Sequence, residues 1–508
     1  MKLFTIGDSI SQGFMSGAAA RTDLSYSTLI ARNLGIKNYR YPSWAKDGLP
    51  FNIETIFRKL ERRLDSDISG PIEWSQAANI LNSYFDDVED YYERGEGKMK
   101  ENYEEQYFHN VAVRGFDLAY SWLITSALCK DFVSKNRDNG DNWWGRVNEA
   151  LLRTSHRVLN PNDGELPLHQ NSQLDWLNYH HQQEGVENLI LWLGANNALG
   201  TVVNLVIEQT SDDGSLFENQ RPDQVDFKTR KEKGWNLWHP KDFEKEYEFM
   251  LDKVVKILEN NPHNVDYKVF VATIPMVTIA PITKAAGDKR NDIIVHEWPV
   301  NPDKPAPMGL KDLSSKSCEK VYSYGTHYPY FAFADSFKIT DKHLNQSEII
   351  HIDNVIRHYN RIIQEQVAKA NERIGTPRFY LVDIGTHLSQ MAIKRNHANP
   401  EYIFPKYFEF IHPKVDIRYY GTDRKGNMKS GGLFSLDGVH PSAIGQGLIA
   451  WEFLKVMEKA GLAGAKPDDL PWKKIFDSDD LRKNPLKITQ EIYDNIKMKR
   501  FLFDKILG

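Results

Sequence analysis

Five short runs of apolar, often β-branched residues punctuate the chain: LFTIG from Leu3, NVAVRG from Asn110, NLILWLG from Asn188, YKVFVATIP from Tyr267 and RFYLVDIG from Arg378. Each ends in small or polar residues. Continuous apolar runs of this length suit strands buried on both faces. Longer segments of helical period lie between them. This alternation predicts a mostly parallel sheet with helices on both sides.

Two helices are well marked. In the segment that begins at Asn345, NQSEIIHIDNVIRHYNRIIQEQVAKANERIG, the residues Ile349, Ile352, Ile356, Tyr359 and Ile363 share one face. Asn345 and Glu348 suit a capping box, and Gly375 suits the end. In HPSAIGQGLIAWEFLKVMEKAG, Ile444, Leu448 and Trp451 share a face, Pro441 suits the first turn and Gly461 the C-terminal cap.

The connections are long. From Ser9 to Gly115, and again from Gly194 to Tyr267, the chain far exceeds the ~30 residues that a strand–helix–strand unit needs. IETIFRKLERRLD and WSQAANILNSYFDDVEDYYERG read as extra helices, and QTSDDGSLFENQRPDQVDFKTRKEKGWN as a long surface loop. The expected organisation is one domain over 1–464, with insertions at about 38–105, 122–185 and 205–245, followed by a helical extension over 465–508. Its segment ITQEIYDNIKMKRFLFDKILG reads as an amphipathic, fairly basic helix packed on the domain.

Composition narrows the function. The chain has 508 residues, 41% of them hydrophobic and 26% charged, and a formal net charge of −5. That near-neutral balance, without long blocks of like charge, argues against a nucleic-acid partner. No apolar run approaches the ~20 residues of a transmembrane helix. LFTI is too short for the apolar region of a secretion signal, so a cytoplasmic location is expected. The two cysteines, Cys129 and Cys318, show no metal or redox spacing and read as core residues. The 16 histidines are scattered. The adjacent His180 and His181 lack further ligands at metal spacing and are expected on a surface. No metal or organic cofactor is implied. The aromatic stretch YSYGTHYPYFAFADSF, from Tyr322, reads as either core or the lining of a pocket mouth.

In a parallel α/β sheet, ligands gather at the carboxyl ends of the strands. After the first run comes Gly7-Asp8-Ser9. A Ser on a tight strand-to-helix turn is exposed near helix N–H groups, which suits a nucleophile; alone it equally suits an ordinary turn. The nearby glycines match neither phosphate-binding pattern. After the second run, Gly115 could let a substrate oxygen approach its N–H. After the third, Asn196 either forms a turn or donates its amide to an oxyanion. Near the C-terminus, Asp437 and His440 precede the last long helix. An Asp that orients one His nitrogen frees the other to take a Ser proton; the bland alternative is a capping Asp beside a surface His. Asp383 and His387, in VDIGTHL, compete on spacing alone. They rank lower because the Asp437–His440 pair adjoins a helix with Pro at its start.

These signals fall in one order: GDS, a strand-end Gly after NVAV, GAN, then DGVHP. Jointly they resemble the SGNH hydrolases, also called the GDSL esterase/lipase family. The resemblance implies a flavodoxin-like three-layer α/β/α sandwich around a mostly parallel five-stranded sheet, here with large helical insertions. It implies Ser9 as nucleophile, His440 as base and Asp437 as its orienter. The oxyanion hole would comprise the Ser9 and Gly115 N–H groups and the Asn196 amide. Ile10 stands where the family name has Leu, and Asn197 where Asp is common. The implied activity is hydrolysis of a small-molecule or lipid-like carboxylic ester through an acyl-enzyme. The same residues also fit acyl transfer to an alcohol, and a binding protein on a hydrolase frame is the reading from a different class.

Overall fold

The computed structural model describes residues 2–65, 68, 70–93, 106–135, 147–164, 167–329, 338–340, 342–392, 394–396, 401–412, 414–415 and 432–488. Four strands form a parallel sheet in the order β1 (Phe4–Gly7), β2 (Asn188–Trp192), β3 (Lys268–Ala272) and then the later strand at Phe379–Val382. A second, antiparallel sheet lies between the third and fourth of these in sequence. It comprises β4 (Ala286–Glu297), β5 (Cys318–Pro329) and β6 (His343–Asn345), which makes the Phe379–Val382 strand β7.

The molecule is therefore a mixed α/β protein with four paired parallel strands where five were expected. The NVAVRG run lies beside β1 but makes only one bridge, Thr5 to Asn110. Its backbone is engaged at alternate positions: Thr5 N–H donates to His109 O, Val111 N–H to Thr5 O and Val113 N–H to Gly7 O. The Asn110 side chain accepts from Ala112 N–H at 3.0 Å. That bond lies on the side away from β1; on the β1 side the Val111 carbonyl, the next acceptor in the ladder, takes the Gln173 amide at 2.6 Å instead.

The strands read apolar on both faces because both are covered. Phe4, Ile6, Leu189, Leu191, Val269 and Val271 belong to one core. Ile190, Trp192, Phe270, Ala272 and Val382 belong to the other. This is the period-2 division of a doubly covered sheet.

The helices that frame the site and its insertions are, in chain order, α1 (Ser9–Gln12), α2 (Ile53–Leu64), α3 (Gly70–Glu93), α4 (Ser126–Lys135), α5 (Asn196–Asn204), α6 (Gln346–Ile374), α7 (Ile384–Met391) and α8 (Ala443–Lys459). In α6 the Asn345–Glu348 capping box forms, and Gly375 ends the helix in the left-handed conformation. In α8 the cap is Ser442, whose Oγ accepts from Gly445 N–H, so Pro441 stands just before the helix and not in its first turn. Trp451 is only partly buried, whereas Ile444 and Leu448 are fully buried.

The two helices expected in the first insertion are α2 and α3. They share a separate apolar cluster, with Ile56, Phe57, Leu60, Leu81 and Phe85 packing together. Leu481, Leu486 and Ile488 from the C-terminal extension join it. The rest of the expected terminal helix lies outside the described residues. The expected surface loop from Gln209 contains a short helix, Phe227–Lys233, anchored by buried Arg230 on Glu246 at 2.6 Å. A buried charge needs its partner nearby, and that pair ties the insertion to the domain.

Two further expectations are corrected. His180 and His181 are buried, not on a surface. His181 is held by the Val186 N–H at 3.0 Å and the Leu258 carbonyl at 3.2 Å, and His180 by Glu184 at 3.3 Å. An imidazole with such partners packs inside the protein at little cost. Cys129 is buried, but Cys318, the first residue of β5, is exposed. The described part of the aromatic stretch is β5, whose Tyr322, Tyr324 and Tyr328 are core residues; positions 330–337 lie outside the described residues. Among the described residues no helix is long and apolar enough to cross a membrane.

Candidate active site

The turn after β1 is tight. A Cβ on Gly7 would lie 2.2 Å from Ser11 Oγ and 3.1 Å from the Trp192 carbonyl, so only glycine fits. Asp8 then caps α1, its Oδ1 accepting from Ile10 N–H at 3.0 Å. Ser9 becomes the first residue of that short helix.

A second loop reaches Ser9 from the other end of the chain. His440 Nε2 lies 2.8 Å from Ser9 Oγ, and His440 Nδ1 lies 2.9 Å from Asp437 Oδ2. Asp437 Oδ1 accepts from the Val439 and His440 N–H groups, both at 2.9 Å, and Oδ2 also accepts from Gly17 N–H at 3.0 Å. Ser16 and Ser435 staple the two loops, Ser16 N–H donating to Ser435 Oγ and Leu436 N–H to Ser16 Oγ. Phe14 packs its ring 4.6 Å from that of His440. Gln446, one turn into α8, accepts from Tyr26 N–H and donates to Ile10 O.

Two buried carboxylates flank Ser9, and their surroundings push them in opposite directions. Burial raises Asp8 to about 7, and its capping bond and the facing His440 only partly offset this. Burial also acts on Asp437, but the charge and ring bond of His440, with the two backbone donors, outweigh it and hold the carboxyl below its ordinary value. Asp437 is thus kept ionised against the imidazole, the state needed to fix the His tautomer and steady an imidazolium.

Asn196 opens α5. Its Nδ2 donates to Phe116 O at 2.9 Å and, more weakly, to Asp8 Oδ2 at 3.4 Å. Both amide hydrogens therefore have acceptors, and an oxyanion would take the place of the longer bond. Gly115 adopts φ +73°, the left-handed region that favours glycine, and stands one residue before Phe116. It is not among the residues lining the pocket around Ser9. Asn197, beside it in sequence to Asn196, accepts from Leu118 N–H at 3.2 Å and so anchors the 115–118 loop to α5.

The competing pair is resolved differently. Asp383 caps α7 and accepts from Thr273 Oγ1 and Val300 N–H, both at 3.0 Å. His387 turns to Glu452 at 3.1 Å instead. Burial opposes charge on His387, but the Glu452 bond and charge raise it above the ordinary imidazole value.

Ser9, Asn196 and His440 open onto one apolar pocket. Ile384, His387, Leu388 and Met391 line it from α7, and Gly445, Leu448, Ile449 and Glu452 from α8. Each set has the i, i+3, i+4, i+7 spacing of one helical face. The loop from Pro275 to Ala280 closes another side.

The amides of Gln12, Gln173, Gln446 and Asn197 were missed by motif reasoning. Gln12 accepts from Arg114 N–H, and Gln173 donates to Gly7 O and Val111 O. Nothing in local spacing marks a buried Gln as a brace between distant loops. Among the described residues no group of three or more His, Cys, Asp or Glu is arranged to hold a metal ion. Searches against family models, curated proteins and solved structures return no match to this chain.

Proposed function

We propose that this chain is a serine ester hydrolase of the SGNH, or GDSL, type. His440 takes the Ser9 proton as Oγ attacks the ester carbonyl, and Asp437 keeps the imidazole in the tautomer that can accept it. The developing oxyanion is met by the N–H groups of Ser9 and Gly115 and by the Asn196 amide. Collapse of the intermediate expels the alcohol, which takes the proton from His440. Water, deprotonated by the same base, then releases the acid and restores Ser9.

The observation that carries this reading is the unbroken Ser9–His440–Asp437 relay, at 2.8 and 2.9 Å, facing an apolar pocket. Counting the 109–113 segment as a fifth strand gives the spatial order 2-1-3-4-5 of flavodoxin-like sheets. Ser9 and Asn196 then follow the two strands between which that order reverses, where such sheets bind ligands. The aliphatic side chains on the two helix faces, Ile384, Leu388, Met391, Leu448 and Ile449, favour an apolar acyl group over acetate.

A serine-reactive fluorophosphonate, together with aryl esters of increasing acyl length, tests the proposal. Labelling and turnover should both vanish in Ser9→Ala, and wild-type kcat/KM should rise with chain length by about fourfold per methylene until the pocket is filled. Undiminished turnover in Ser9→Ala would remove the assignment, and a sharp preference for acetate would remove the apolar acyl group.

A further inference from the structure

Arg114 is a part-buried cation for which no ion pair is found among the described residues. It follows the edge segment of the sheet and precedes Gly115. Its backbone N–H is fixed on Gln12 Oε1 at 3.0 Å, which leads back to α1 and Ser9. Its guanidinium lies over the Phe14 ring at 5.3 Å, and the other neighbour of that ring is His440 at 4.6 Å. One aromatic ring thus separates an unpaired guanidinium from the candidate base. Three fully buried arginines, Arg230, Arg357 and Arg395, are treated differently. They pair with Glu246, Glu297 and Asp353 respectively. Burial lowers Arg114 to about 10 with no carboxylate opposing it, so it remains charged at neutral pH and short of a counter-ion.

The Arg114 guanidinium keeps contact with solvent and has no protein acceptor among the described residues, and a planar fork of donors matches carboxylate and phosphate oxygens. We infer that Arg114 binds an oxyanionic group, phosphate or carboxylate, on the part of the substrate that stays outside the apolar pocket. This rests on the ester-hydrolase reading and narrows its substrate to an amphiphilic ester: an apolar acyl chain against α7 and α8, and an anionic alcohol portion beside Phe14. Arg114 is absent from the residues lining the apolar pocket, so the charged and apolar parts have separate berths.

Matched esters with one acyl chain test this: a neutral glycerol ester, its glycerol-phosphate counterpart and a hydroxybenzoate ester. Wild type should prefer at least one anionic ester to the neutral one by about ten- to a hundredfold in kcat/KM, the range of a charge-assisted hydrogen bond. The favoured ester tells phosphate from carboxylate. Arg114→Gln should bring the ratio near one, and Arg114→Lys should keep part of it. Equal turnover of all three esters by wild type, or an unchanged ratio in Arg114→Gln, overturns the inference. Calorimetry of glycerol phosphate and hydroxybenzoate on Ser9→Ala, with and without Arg114→Lys, separates this failure from that of the parent reading. Binding weakened by the Arg114 change supports the anion site even if no ester is turned over. No binding of either anion, or binding indifferent to Arg114, overturns it.

Discussion

Among the described residues two Ser–His–Asp relays form, and they differ in what surrounds them. In the first, Ser9, His440 and Asp437 come from opposite ends of the chain. In the second, Ser126 Oγ lies 2.9 Å from His156 Nδ1, and His156 Nε2 lies 3.4 Å from Asp163 Oδ1. The second is assembled within one insertion, at the start of α4. Ser126 has no exposed surface, and Asn160 donates to its Oγ at 3.2 Å. Lys130 is paired with Asp163, so that carboxylate already has a cation. Asp437 has no such cation among the described residues; its charge is turned to His440 and to backbone donors. The Ser9 relay also faces a pocket and an amide. Three residue types in line are thus enough for a hydrogen-bond chain. Chemistry further needs a reachable Oγ, a place for the oxyanion and an acid whose charge is not already spent elsewhere.

Parallel substitutions give the largest contrast. Ser9→Ala should lower ester turnover by on the order of 10⁴–10⁶-fold, whereas Ser126→Ala should leave kcat/KM within about twofold. Comparable losses in both, measured on the same aryl ester, would abolish the distinction. Next in size is Asn196→Ala, expected to lower kcat by ~10²–10³ with little change in KM, as for an oxyanion donor. A change confined to KM would assign Asn196 to ground-state binding.

The contrast also shows what a sequence pattern can carry. Ser9, Asn196 and His440 were legible because each sits at a strand end or just before a helix, positions that local periodicity marks. The capping box of Asn345 and Glu348 was legible for the same reason, being complete within four residues. His180 and His181 misled because adjacency says nothing of what faces them. Leu258, the partner of His181, comes from a distant helix, whereas Glu184 stands four residues after His180 on the same helix. The shortfall of the fifth strand turns on a distant side chain, Gln173, whose amide takes the Gly7 and Val111 carbonyls between the two segments. That Arg114 meets no carboxylate among the described residues is a property of its surroundings, and no motif records it.

A third prediction concerns the carboxylate beside the nucleophile. Asp8 is raised to about 7 from 3.8, so the folded state keeps a proton that the unfolded chain has released. Its burial therefore costs nothing at pH below about 4, costs progressively more as pH rises to about 7, and is constant above. Asp8→Asn retains a capping oxygen and cannot ionise, so its gain in stability over wild type should be larger at pH 8 than at pH 4 by urea unfolding. Ionised Asp8 also holds the Asn196 amide more firmly and repels a nearby oxyanion. Wild-type kcat should bend downward above about pH 7, and Asp8→Asn should lose the bend. An identical profile in both proteins would detach Asp8 from the oxyanion.

The smallest effect is the most pointed for the second relay. If Ser126 serves the fold, its removal should be felt in stability and nowhere else. The hydroxyl accepts from Asn160, whose amide keeps the Gly164 carbonyl at 2.9 Å for one hydrogen and loses the acceptor of the other. His156 Nδ1 loses its partner, while Nε2 keeps Asp163. The loss is two hydrogen bonds, about 2 kcal/mol. Urea unfolding of Ser126→Ala should lower the midpoint by that loss divided by the slope, with the slope itself unchanged. Fluorophosphonate labelling should remain at Ser9 with undiminished stoichiometry. Probe attached to Ser126 in the folded wild-type protein would show that its burial is not permanent, and the two relays would then differ in access alone.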